Sequence, residues 1–191
     1  MTVPTRTVDD PRTIRALAHP LRLALLQLLM VRGPRTATEA GEVLGETPAS
    51  ASFHLRTLHR YGYVEEAPPG PGRRRPWRAV RTVQRIPESQ LRSEAGVASD
   101  ELSRALSGHV EQLHDEWRHR RREEPAEWRA AAEETTALLR LTPEEAVRLG
   151  TELHEVLVRW SPAVEREPAA DDGRRTVLLS LRAFPLAADG R

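Results

Sequence analysis

The sequence contains no cysteine and no lysine. The missing cysteine excludes a disulfide framework, a thiolate metal site and a cysteine nucleophile. The missing lysine makes all 29 basic residues arginine. Long apolar runs are also absent. The longest, Leu23 to Val31, is interrupted by Gln27 and falls short of the roughly 20 residues a membrane-spanning helix needs. An acidic pair, Asp9-Asp10, stands ahead of that run, where a signal peptide would carry bases. The expected class is a soluble cytoplasmic protein. No G-x-G-x-x-G, P-loop, H-E-x-x-H or G-x-S-x-G motif is present. The many carboxylates fall on polar helix faces, where solvation explains them, so no enzyme is expected.

What is present is a chain of 191 residues and 21.5 kDa, enough for one generous domain or two small ones. Hydrophobic residues make up 39% and charged residues 30%, the balance of a folded globular protein rather than a disordered one. The net charge of +1 hides an asymmetry. Residues 1–85 hold 14 Arg against 7 acids, net +7, while residues 86–191 hold 15 against 21, net −6. A basic compact front half attracts polyanions, because each neutralised phosphate releases condensed counterions. Ordinary surface charge gives the same surplus, so the arrangement of the residues has to decide.

Asp10-Pro11 reads as N-cap and first helical residue of a short helix carrying Ile14 and Leu17. His19-Pro20 breaks that helix and starts a longer one, with Leu21, Leu25, Leu28 and Leu29 on one stripe and Leu23, Leu26 and Met30 on a second. Gly33-Pro34 ends it. Thr36 and Glu39 form a capping box for a third helix, closed at Gly45. Thr47-Pro48 opens a fourth, running to about Tyr61 and stopped by Gly62, with Ala51, Leu55 and Leu58 facing inward. Two short helices joined by a few residues make a helix-turn-helix. Residues 63–67, a Pro/Gly-rich tip at 68–72 and a return arm from Pro76 to about Arg85 then read as a β-hairpin. A helix-turn-helix followed directly by a hairpin is a winged helix.

Three segments occur in order: Ala18-His19-Pro20-Leu21-Arg22, Ser52-Phe53-His54-Leu55-Arg56-Thr57-Leu58 and Gly62-Tyr63-Val64. Together, over about residues 10–85, they resemble the ArsR-type winged-helix transcriptional regulators. The resemblance implies a homodimeric, promoter-binding regulator, most often a repressor, whose Arg22 position commonly clamps a phosphate. A solvated helix-face arginine is the plainer reading of Arg22. The rear half departs from the small metal-sensing members and is similar only to longer actinobacterial-type regulators with an appended domain.

In a helix-turn-helix the second helix enters the major groove. Its outward positions are Ala49, Ser50, Ser52, Phe53, Arg56 and Thr57, with Arg60 near the helix end. Ser50 and Ser52 can bond a base edge or a phosphate, and Arg56 can bond a guanine bidentately. Phe53 packs either a thymine methyl or the edge of the core. His54 is read as inward. Thr36 and Thr38 can offer hydroxyls and backbone N–H groups to a phosphate, although capping alone also explains Thr36. Arg73-Arg74-Arg75 at the hairpin tip suits a narrow minor groove or the phosphates beside it; the plain alternative is a solvated loop.

In the rear half, Ser99 or Asp100 is expected to cap a helix to about Arg122, with Leu102, Leu106, Val110, Leu113 and Trp117 on a narrow seam suited to a second copy of the chain. His109, His114 and His119 recur every five residues, each turned about 140° from the last. They do not make the i, i+4 pair of a helical zinc site, so no metal or cofactor is expected. A short helix from Pro125 to about Glu134, a segment over 135–141 that either continues it or, as preferred, forms a strand, a helix from Thr142-Pro143 to about Trp160, a linker over 161–173 and a strand over 176–184 follow. The final strand can share a sheet with 135–141 or extend the wing of its own subunit or the partner's. Trp117, Trp128 and Trp160 make an effector pocket conceivable, with plain core as the blander reading.

The sequence therefore predicts a mainly α (α+β) chain. A winged helix-turn-helix DNA-binding domain over 1–86 is followed by a helical/β dimerisation and possible sensing domain over 87–191. The expected function is a sequence-specific, dimeric double-stranded DNA-binding regulator of a pseudo-palindromic operator. The alternative is a winged-helix protein-interaction adaptor that does not read DNA.

Overall fold

The computed structural model describes residues 5–68, 75–80, 83–85, 93–160 and 173–186, with backbone alone at 5–7 and 83–85. The predicted hairpin tip from 69 onward, Arg73, Arg74 and residues 161–172 of the predicted linker lie outside the described residues.

Side-chain caps set the helices of the front half. The Asp10 carboxylate accepts the Thr13 N–H at 3.0 Å and opens α1 (Pro11–Arg15). His19 caps α2 (Pro20–Arg32) through Nδ1, which accepts the Leu21 N–H at 3.2 Å. In α3 (Ala37–Leu44) the predicted capping box is closed: Thr36 Oγ1 accepts the Glu39 N–H at 3.2 Å while Glu39 Oε2 accepts the Thr36 N–H at 2.9 Å. Thr47 Oγ1 accepts the Ser50 N–H at 3.1 Å to begin α4 (Pro48–Arg60). Gly45 and Gly62, at φ +68° and +74°, turn the chain out of α3 and α4 through the left-handed region.

These helices bury a single core. Ile14, Leu25, Leu55 and Leu58 are fully enclosed, with Leu23, Leu28, Leu29, Tyr63 and Val64 around them. Each buried large aliphatic side chain contributes about 1.5–3 kcal/mol. The close approach of α3 and α4 depends on Gly41. A Cβ there would lie 2.8 Å from the Glu46 carbonyl oxygen, and the Glu46 N–H donates to the Gly41 carbonyl at 2.8 Å.

The wing pairs β2 (Val64–Glu66) with β3 (Trp77–Ala79) antiparallel, in the register Val64↔Ala79, Glu65↔Arg78 and Glu66↔Trp77. An antiparallel bridge between Trp77 and Arg35 adds the α2–α3 connection to this sheet. The return arm is not one strand to Arg85, as predicted. It breaks after Ala79, and β4 (Val83–Arg85) pairs in parallel with β1 (Thr5–Thr7), a strand the alternation signal is too short to reveal.

The long helix α5 (Glu94–Arg120) starts earlier than expected, on a Ser93 cap whose Oγ accepts the Gly96 N–H at 3.2 Å. Its first turns present Ala95, Gly96, Ala98 and Leu102, all buried against the front core with α1. Arg15 fastens the contact through Glu94 at 2.7 Å and Glu101 at 3.1 Å. Beyond Leu102, only 2% exposed, the seam opens: Val110, Leu113 and Trp117 are half-buried and Leu106 is exposed.

The rest of the rear half corrects several expectations. The helix after Pro125 is short, α6 (Ala126–Ala130). Segments 135–141 and 176–184 form no strand and belong to no ladder among the described residues. A strand exists only where another strand completes its hydrogen bonds, and neither segment has one among the described residues. The last helix, α7 (Pro143–Trp160), keeps its predicted start, with Thr142 Oγ1 accepting the Glu145 N–H at 3.2 Å and Glu145 Oε2 accepting the Thr142 N–H at 2.9 Å. Its predicted inner face has no inside to occupy: Leu149 and Leu153 are half-buried, while Val156 and Leu157 are exposed.

Candidate nucleic-acid interface

The candidate interface is the outer side of α4. At 100° per residue, Ala49, Phe53, Arg56 and Arg60 fall within about 60° of one another, and all four are exposed. Ser50, Ser52 and Thr57 flank that stripe and are half-buried. Ala51, Leu55 and Leu58 hold the opposite side in the core. The helix is thus fixed from behind and open in front, with two guanidinium groups one helical turn apart. Its Thr57 hydroxyl donates to the Phe53 carbonyl at 3.0 Å. That leaves Thr57 with acceptor capacity alone toward any outside group.

Phe53 is 61% exposed, which removes the core-edge alternative. Its ring stands nearly perpendicular to that of His54, with centroids 5.2 Å apart. His54 is turned inward as expected, half-buried, with Nδ1 sealed from water and without a hydrogen-bond partner.

Arg22 is not the freely solvated side chain of the plainer reading. It is half-buried, and its Nε is sealed with no partner. Burial lowers its pKa, while Tyr61 and Tyr63 oppose that change. A fully solvated helix-face arginine is ruled out by this placement. At the start of α3, the Thr36 hydroxyl is committed to Glu39 on both sides, donating to Oε2 at 3.0 Å. Thr38, by contrast, is exposed. In the wing, Arg75 is exposed, while Arg78 is tied across the sheet to Glu65 at 2.7 Å.

The structure brings α4, the wing base and the α2 cap to one end of the front half, because β2 leaves directly from Gly62. The His59 ring donates from Nδ1 to the Val64 carbonyl at 3.1 Å and lies 5.2 Å from the Trp77 ring. Sequence reasoning missed His19 as a neighbour of the site. Its ring centroid is 4.6 Å from that of His54. The single local signal was its place before Pro20, where a cap belongs.

The rear-half candidates do not converge. Trp117 stacks on His114 with centroids 6.0 Å apart, Trp128 lies 5.0 Å beneath the Arg175 guanidinium, and Trp160 is 71% exposed. No shared aromatic pocket links them among the described residues. The three spaced histidines have three different partners: Gln27 for His109 at 2.9 Å, Glu134 for His114 at 3.9 Å and the Asp115 carbonyl for His119 at 2.7 Å. No helix among the described residues is long and apolar enough to cross a membrane.

Residues 17–66 match the family described as a helix-turn-helix domain. No curated protein matches the chain. The matched segment begins just after α1 and runs through α2, α3 and α4 to the last residue of β2. Geometry and family match coincide on the same residues: the chain carries a helix-turn-helix domain within a winged α+β fold, the architecture of a DNA-binding transcription regulator.

Proposed function

We propose that the chain is a sequence-specific double-stranded DNA-binding transcriptional regulator of the ArsR type, a repressor that acts in the cytoplasm as a homodimer and performs no catalysis. The observation that carries this reading is the open stripe of α4, held by a core behind it. In this reading α4 lies in the major groove. Ser50, Ser52, Phe53 and Arg56 meet base edges, and Thr38, Thr57 and Arg60 meet the backbone. The wing arginines Arg73, Arg74 and Arg75 lie along phosphates or the minor groove. Thr36 has both its hydroxyl and its backbone N–H committed to the capping box, so its part is to set the α3 N-terminus that presents Thr38. Arg22 supplies a phosphate clamp only if it turns out of its half-buried position.

The division into a DNA-binding unit over 1–86 and a dimerisation or sensing unit over 87–191 goes with this reading. Support for the homodimer is the apolar surface the rear half leaves open: Val147 and Trp160 on α7, and Val177, Leu179 and Phe184 on segment 176–184. Large exposed apolar patches mark association surfaces, and the exposed segments have no ladder partner among the described residues. Two copies related by a twofold axis would match a pseudo-palindromic site with half-sites roughly 34 Å apart. Selecting duplexes from a random pool tests the reading. Enrichment of an inverted repeat supports it, and binding with no sequence or salt trend would favour the adaptor.

A further inference from the structure

Where α1 gives way to α2, a cluster of ionisable groups joins the cap of α2 to the recognition helix. His19 accepts the Leu21 N–H on Nδ1 at 3.2 Å, which requires that nitrogen to be unprotonated. Its ring lies against that of His54, inclined by 35°. His54 Nδ1 is buried without a partner, and so is Arg22 Nε beside it. The charged and titratable groups facing the pair are Arg22 from α2 and Glu46 from the turn before α4, with Tyr61 and Tyr63 bearing on Arg22. The Phe53 ring packs against His54 nearly at right angles, 5.2 Å between centroids. Two histidines and an arginine thus share this site with one carboxylate.

We propose that His19 and His54 form a proton-sensitive latch that seats α4 against the start of α2, closed while both rings are neutral and released when either is protonated. Each half has its own reason. A proton on His19 Nδ1 turns the cap acceptor into a donor facing the Leu21 N–H, so the cap is lost. A proton on His54 places a cation beside Arg22 and His19 in half-buried surroundings, where Nδ1 has no acceptor. Burial first, and then Arg22, hold His19 below the ordinary histidine range; burial, His19 and Arg22 do the same for His54, with Glu46 opposing in both. Since the folded chain prefers both rings neutral, the unfolded chain takes up protons first as pH falls. The stabilisation is whole above about pH 6.5 and is lost as pH falls toward the lower, folded pKa values. Ser50, Phe53 and Arg56 ride on the same helix as His54, so release would disturb the proposed reading face. That consequence rests on the DNA-binding reading, whereas the latch itself does not.

The test is a histidine NMR titration of the full chain without DNA, assigned with His19→Asn and His54→Gln. Asparagine keeps a capping oxygen without titrating near neutrality. The wild-type chain should show both rings titrating below the ordinary range, and His54 should move up toward it in H19N. Urea midpoints at pH 7.5 and 5.5 give the second readout: the double variant should lose much of the acid-induced drop, while the single change His109→Gln leaves the His19–His54 part in place. Two rings titrating independently at ordinary values, or a double variant with the full wild-type drop, would overturn the latch. Because no DNA is present, failure of the latch and failure of the DNA-binding reading are separate results.

Discussion

The Tyr63 hydroxyl donates to the Thr13 carbonyl at 2.8 Å, a buried bond that ties the first residue after Gly62 to α1. It makes the wing base and the N-terminal helix one unit, because Tyr63 is itself only 2% exposed. Tyr63→Phe keeps the ring and removes the donor, while the Thr13 carbonyl retains the Ala16 N–H at 3.2 Å. The expected loss is about 1 kcal/mol. Tyr63→Ala also opens a cavity and should cost about 3–5 kcal/mol. Urea unfolding of both variants measures the difference between losing the bond and losing the ring.

Gly41 and Gly45 separate two ways in which a glycine can be required. Gly41→Ala drives a Cβ to 2.8 Å from the Glu46 carbonyl oxygen, a backbone atom that cannot swing away. The α3–α4 spacing must change, at a cost of about 1–3 kcal/mol. Gly45→Ala meets open space but places alanine at φ +68°, which costs roughly 1–2 kcal/mol. DNA affinity distinguishes them beyond stability: Gly41→Ala should weaken binding even where the chain remains folded, and Gly45→Ala should not.

His109 joins the pH response from a different place. Its Nε2 donates to Gln27 Oε1 at 2.9 Å, linking α5 to α2, and burial pushes its pKa down, with Glu116 opposing. The folded state therefore prefers the neutral ring. Its contribution is whole above about pH 6.5 and falls as pH drops toward the folded pKa. Thermal unfolding of His109→Gln between pH 7.5 and 5.5 should show a shallower decline than wild type. An unchanged slope would mean that the His109 ring is not buried between α5 and α2.

The exposed apolar surface of the rear half yields a prediction about assembly. Sedimentation equilibrium of the full chain should report a dimer at micromolar concentration. Leu179→Glu and Leu181→Glu together, on a segment exposed in the single chain, should shift the population toward monomer while leaving the helix content of the front half unchanged. A wild-type chain that stays monomeric would contradict the homodimer.

The front half was legible in the sequence for a physical reason: its information is local. Asp10-Pro11, Thr36 with Glu39, and Thr47-Pro48 each start a helix within a single turn, and Gly45 and Gly62 end two of them. The inward set Ala51, Leu55 and Leu58 then fixes which side of α4 is outward. Pairings between distant segments were not legible, because no local signal encodes them. These include β1 with β4, the bridge between Arg35 and Trp77, and the contact of His19 with His54. The start of α5 was misplaced because two serines compete as caps. Ser93 wins because Ala95, Ala98 and Leu102 then face α1. In the rear half the β-propensity of 135–141 and 176–184 was real, but propensity does not supply a neighbouring strand.

The wing and the recognition helix should fail in different ways. Arg75 is exposed at the wing base and carries no base-reading role in the proposed complex. Arg75→Ala should weaken every duplex alike and reduce the salt slope by about one unit. Arg75 retained as a base-specific contact would contradict the proposed place of the wing.

The most direct test of DNA reading by α4 is a fluorescence anisotropy titration of a selected duplex and its single-base variants, with wild type and Arg56→Ala, over a range of salt. The account predicts that wild-type affinity falls linearly on a log–log salt plot. It also predicts that Arg56→Ala costs about 1–3 kcal/mol on the cognate site and abolishes discrimination at one base pair. Equal weakening on every duplex would make Arg56 a phosphate contact, and the absence of any salt-dependent binding would contradict the account outright.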